Sequence, residues 1–125
     1  MRRTITFLIA LTVPSASLAA NWVFVANCGE SDQVRAYSYD RDSVRRSGDS
    51  TQVRIKGDYS KAAGSQSKEA RILWSFDCAS RTFVERSRAE YGARGKIVMN
   101  YKKPTARMGI APESIAEKVR SIVCV

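Results

Sequence analysis

Histidine is absent from the 125 residues. That removes the side chain that titrates near neutral pH, the Ser–His and Cys–His nucleophile pairs, and imidazole metal ligands. Cysteine is scarce, with three residues and no Cys-x-x-Cys pair, so a thiolate metal site has no support. Glycines form no phosphate-cradling loop, and no serine sits in a Gly-x-Ser-x-Gly elbow. Acidic residues are also few: 12 against 21 Lys+Arg, for a net charge of +9. Composition is otherwise that of a globular chain, 44% hydrophobic and 26% charged, of a length suited to one domain. Catalysis therefore starts with little chemistry to draw on.

The first segment has the pattern of a secretory leader. Met1-Arg2-Arg3 is basic, and the uncharged run Ile5–Val13 follows for nine residues until Pro14 and Ser15. Ser17-Leu18-Ala19 places small residues where a signal peptidase reads. A membrane span needs about 20 apolar residues, which this run does not supply. We expect residues 1–19 to be a cleaved signal peptide and 20–125 to be one exported domain. Losing Arg2 and Arg3 leaves 19 basic against 12 acidic residues, a net charge of +7. No later run reaches spanning length. No cysteine stands at the cleavage site, so lipid attachment there is not supported.

Export gives the cysteines a different meaning, because disulfides persist outside the cytoplasm. Three thiols allow one internal bridge and leave one over. Cys78 ends an apolar segment and Cys124 lies one residue from the end. We expect these two to pair, in preference to either pairing that uses Cys28. Their bridge closes a loop of 46 positions, worth about 4 kcal/mol by loop entropy. Cys28, in Asn27-Cys28-Gly29, reads as exposed turn and free thiol, and as a possible link between two chains.

Strand signals dominate the body of the chain. Trp22–Ala26 and Gln33–Tyr39 are short β-favouring runs, and Asp40 is placed to cap one helical turn. Val53, Ile55, Gly57 and Tyr59 alternate with Arg54, Lys56 and Asp58, giving a strand with one wet face. Ala70 to Cys78 alternates most clearly. Arg81–Tyr91 follows, with Val84, Arg86 and Arg88 expected on one face, and Gly92–Gly95 turns the chain into Lys96–Tyr101. Then the period changes. Ile115, Val119, Ile122 and Val123 recur at helical spacing after Pro112-Glu113-Ser114. The expected fold is α+β: an antiparallel meander of five to six strands with a packed C-terminal helix.

Asp40 and Asp42 are the tightest acidic pair, but spacing suits a turn cap and partners for Arg45 or Arg46 better than acid–base chemistry. The basic surplus points outward. Arg86 and Arg88, Arg94 and Lys96 at the next turn, then Lys102, Lys103 and Arg107, are expected to form one positive zone at an end of the sheet. Such a zone attracts acidic or glycosylated protein surfaces and envelope components. Export argues against nucleic acid. No metal, cofactor or catalytic residue is expected.

In order and spacing these residues resemble the surface-adhesin protein E family. The resemblance runs from Trp22 through Tyr39-Asp40, Asp42-Ser43-Val44, Arg46, Gly48, Asp58-Tyr59, Ser67-Lys68 and Asp77-Cys78. It ends at Pro112-Glu113-Ser114-Ile115 and Val123-Cys124. It implies a compact antiparallel sheet packed by a C-terminal helix, Cys78 bridged to Cys124, and a non-catalytic module. It also implies binding to extracellular-matrix or serum proteins of a host, from the cell surface. A periplasmic protein that binds an envelope component is the competing expectation. Cys28 is an addition to the family's two-cysteine pattern.

Overall fold

The computed structural model describes residues 19–125, so the expected leader lies outside the described residues apart from Ala19. Eight antiparallel strands form one sheet: β1 (Trp22–Cys28), β2 (Arg35–Asp40), β3 (Arg45–Ser47), β4 (Ser50–Asp58), β5 (Glu69–Asp77), β6 (Thr82–Tyr91), β7 (Ile97–Tyr101) and β8 (Met108–Gly109). Among the described residues a single α-helix, α1 (Ile115–Val123), follows. The spatial order is β1-β2-β4-β5-β6-β7, the expected meander. Two short strands raise the count above expectation. β3 pairs with β4 through the Ser47–Ser50 turn, and β8 pairs with the start of β6. At three and two residues, with mainly polar or small side chains, neither has enough alternation to be seen in sequence.

Residues paired across antiparallel strands share a face. Val53 opposite Trp74, Ile55 opposite Ile72, and Phe76 opposite Phe83 define the inner face. Tyr39 joins it from β2. Trp74, Phe76 and Phe83 pack with ring centroids 5.5–6.0 Å apart, an arrangement favourable beyond simple area burial. Gly57 keeps its end of this face open: an added Cβ would lie 2.6 Å from the Tyr59 ring. That ring and Tyr37 meet edge to face over the gap.

Helix α1 lies on this face, against β1, with Ala116, Val119 and Val123 buried. The first helical residue is Ile115, not Pro112, because Ser114 supplies the cap: its Oγ accepts a bond from the Glu117 N–H at 3.1 Å. Glu117 stands in the first turn, where an acid suits the helix dipole. It pairs with Arg120 at 2.8 Å and with Arg81, from the β5–β6 turn, at 3.0 Å. At the other end Arg46 donates to the Val123 carbonyl at 3.0 Å, satisfying an orphan acceptor. Cys124 then bridges to Cys78 with a Cα–Cα distance of 5.6 Å. Neither arginine expected to pair with Asp42 does so through its carboxylate, since Arg45 bonds the Asp42 carbonyl and Arg46 the helix end.

Replacing Cys78 and Cys124 by Ser should lower stability by about 2–4 kcal/mol in urea titrations. A loss under about 1 kcal/mol would show that packing alone holds the helix. Glu117 provides a pH test. The Arg120 hydrogen bond and charge, helped by Arg81, hold its carboxyl below the usual range against the opposing effect of burial. A lowered carboxyl contributes stability that is full above its unfolded value and is lost as pH falls through the folded one. The melting temperature should therefore drop between about pH 5 and pH 2, and Glu117→Gln should make that drop shallower. An unchanged profile in the variant would remove Glu117 from the account.

Candidate functional site

One helix covers one face, and the other face of the sheet stays open. Register assigns Trp22, Ser38, Asp40, Lys56, Arg71 and Leu73 to it, together with Ser87 and Ala89 of β6. Trp22 sits opposite Asp40 and reaches across β2 towards the centre of the sheet. Its ring centroid lies 4.9 Å from both Lys56 Nζ and Arg71 Cζ, within cation–π range of each. Arg71 is also held by Glu69 at 3.1 Å.

Beside this cluster runs a groove of about 480 Å³, lined by Trp22, Asp40, Arg54, Arg71, Leu73, Ser87, Ala89, Asn100 and Lys102 among others. Its size falls within the range of small-ligand sites. Leu73 and Ala89 give it an apolar floor, and cations rise around it. Among the described residues, Arg54, Lys56 and Lys102 have no carboxylate within salt-bridge distance. Asp40, 7% exposed, accepts from the Asn21 and Asp42 N–H groups at 3.0 and 3.1 Å through one oxygen. It caps the turn Arg41–Ser43, as its sequence position predicted.

The expected basic zone does not assemble as one patch. A β-bulge sets Arg86 between the pairs Leu73–Ser87 and Trp74–Glu85. One extra residue reverses the alternation, so Arg88 faces the core side while Arg86, exposed, borders a hollow beside Ser75 and Val84. Period-2 counting placed the two arginines on one face and the bulge separates them. Arg88 is three-quarters buried and is bound by Glu85 at 2.9 Å and Glu90 at 3.0 Å. Burial disfavours its charge, but hydrogen bonds from Arg88 to Glu85 and the Tyr59 hydroxyl, with the Glu85 charge, outweigh this and raise its pKa. Trp74 Nε1 donates to the same Glu85 at 3.1 Å. Arg107 is paired with Asp77 at 3.1 Å, and that contact, after the Ser80 backbone bond, keeps the Asp77 carboxyl below its usual range. Arg94 and Lys96 lie at the β6–β7 turn, and Lys103 borders a separate hollow with Glu85 and Tyr101. Of the seven, Lys102 and Arg88 line the groove, and Arg88 is already paired with Glu85 and Glu90. Cys28 is an exposed free thiol, although it ends β1 and is not part of a turn.

Trp22, Arg54, Lys56 and Arg71 went unselected in the sequence. Alternation marked the wet face of β4, but only strand order brings β1, β4 and β5 side chains together.

A family model described as surface-adhesin protein E matches residues 22–125. The chain belongs to the surface-adhesin protein E family. Two solved structures of Haemophilus influenzae protein E have the same fold. One aligns with a TM-score of 0.54 at 12% identity, covering 81% of this chain and 83% of that one. The other, crystal form II, gives 0.52 at 12% identity, covering 70% and 79%. A comparison with curated proteins finds no match. The Cys78–Cys124 bridge and the antiparallel sheet agree with the resemblance read from the sequence.

Arg88→Ala leaves Glu85 and Glu90 without their cation on the core side and should cost about 2 kcal/mol, the exposure of a quarter of its surface keeping it below the fully buried case. Arg86→Ala, two positions away, should stay within about 0.5 kcal/mol of wild type. Equal effects of the two variants in thermal melts would contradict the bulge.

Proposed function

We propose that this adhesin E family member is an exported, non-catalytic binding module that takes an acidic or glycosylated protein surface, such as a host matrix or serum protein, on the open face of its sheet. The observation that carries this reading is the set Arg54 and Lys102 lining a groove edged by Trp22, with Lys56 over the Trp22 ring, all three without a carboxylate partner among the described residues. Unpaired cations give long-range attraction to acidic surfaces and set association rate and selectivity. An aromatic edge adds apolar contact at low conformational cost. Asp40 favours the non-catalytic reading, since the more buried of the two candidate carboxylates is bonded to two backbone amides.

The test is surface plasmon resonance against immobilised matrix glycoproteins and serum proteins. Reversing Arg54, Lys56 and Lys102 to Glu should weaken binding by at least about tenfold. Raising salt from about 50 to about 300 mM should weaken the wild-type interaction in the same direction. Binding that ignores both changes would sink the basic face. Protease shaving of intact cells addresses display: loss of the protein with a periplasmic marker spared supports the adhesive role. Protection until the outer membrane is opened turns the same face towards an envelope component.

A further inference from the structure

The sheet has a second surface, adjoining the groove, at the β7 edge. β7 pairs with β6 on one side, and among the described residues no strand or loop pairs with its other side. Its backbone donors and acceptors there face solvent. Its side chains are unusually apolar for such a position: Ile97 is 58% exposed, Val98 41% and Tyr101 61%. Val98 is the extra residue of a bulge against β6. The strand itself carries no charge, while Lys96 precedes it and Lys102-Lys103 follow it. None of these three lysines has a carboxylate within 4 Å among the described residues.

Two occupants compete for an edge of this kind. A second copy would pair antiparallel about Met99, which sets Lys96 of one chain opposite Lys102 of the other. A one-residue shift sets it opposite Lys103 instead. Either register places like charges face to face at both ends of a short ladder, which is unfavourable. A segment with acids at both ends meets the same lysines with opposite charge. We infer that the β7 edge is a strand-addition site for an extended peptide with a β-branched, apolar centre and acidic flanks, recognised by its backbone and held in register by Lys96 and Lys103. Main-chain bonds to the free edge supply the affinity in this mode, and side-chain pockets and charges supply the choice of partner. The groove shares Asn100 and Lys102 with this edge, and both are left native in the test.

The probe is a fluorescently labelled synthetic peptide of alternating Val and Thr with paired Glu at each end. One control carries Lys in place of Glu, and another is N-methylated at alternate backbone amides. In anisotropy titrations the Glu-flanked peptide should bind at least about tenfold more tightly than the Lys-flanked one. Lys96→Glu/Lys103→Glu should weaken it by a similar factor, and Trp22→Ala should leave it unchanged, which separates this edge from the groove. Hydrogen exchange at residues 97–101 should slow on binding, and the N-methylated peptide should fail. Equal binding of the methylated peptide would overturn strand addition. Absence of binding by the Glu-flanked peptide would overturn the proposal and assign the lysines to guarding the edge against pairing. So would sedimentation showing a dimer of the chain alone that Ile97→Lys dissociates, since a second copy then covers the edge.

Discussion

One short helix can cover one face of a sheet and not two. That constraint organises the molecule. Val53, Ile55, Trp74 and Phe76 turn towards α1 and the aromatic cluster, and their alternating neighbours have only solvent to face. With nine residues, α1 is too short to persist in isolation. It is held by the Ser114 cap, by Glu117 between Arg81 and Arg120, by Arg46 at its C-terminal carbonyl and by the bridge to Cys78. Each of these contacts is at an end or an edge, so the middle of the helix is free to be a strip of small apolar side chains. The open face, left without a layer, is where arginines and lysines can stand around Trp22 without any burial cost.

Charge is distributed by the same geometry. Cations that reach the core side, such as Arg88, acquire two carboxylates and an aromatic hydroxyl. Cations near a turn, such as Arg107, acquire one. On the open face Arg71 has Glu69, while Arg54, Lys56 and Lys102 have no carboxylate within salt-bridge distance among the described residues. A chain with 21 basic and 12 acidic residues cannot neutralise every cation, and among the described residues five acids, Glu69, Asp77, Glu85, Glu90 and Glu117, make ion pairs. Glu85 and Glu90 do so where desolvation makes pairing most valuable, on the core side with Arg88.

Much of this was legible in the residues. The alternation of Ala70, Ile72, Trp74 and Phe76 and the period change at Ile115 marked the strands and the helix, because each rests on local spacing, while the bridge over 46 positions followed from the near-terminal place of Cys124 and from the family resemblance. The site was less so. Arg54, Lys56 and Arg71 were visible as outward residues of two strands, but Trp22 joins them only through pairing of β1 with β2 and of β2 with β4, which no local pattern encodes. The expected zone of seven cations failed for a definable reason: two-residue spacing holds only while the ladder is regular, and nothing in Val84-Glu85-Arg86-Ser87 announces an inserted residue.

That inserted residue also sets a parity. Downstream of Arg86 every side chain of β6 stands on the face opposite to the one simple counting assigns, which is why Glu85 and Arg88, three apart, meet on one side. Deleting Arg86 would join Glu85 directly to Ser87 and leave a regular ladder, with Glu85 still opposite Trp74, Ser87 opposite Leu73 and Arg88 opposite Ile72. Arg88 and Glu90 would keep the core side. The pairing of β5 with β6 thus does without Arg86 altogether, so that position is free both in kind and in count, while its neighbours on either side are fixed by their partners.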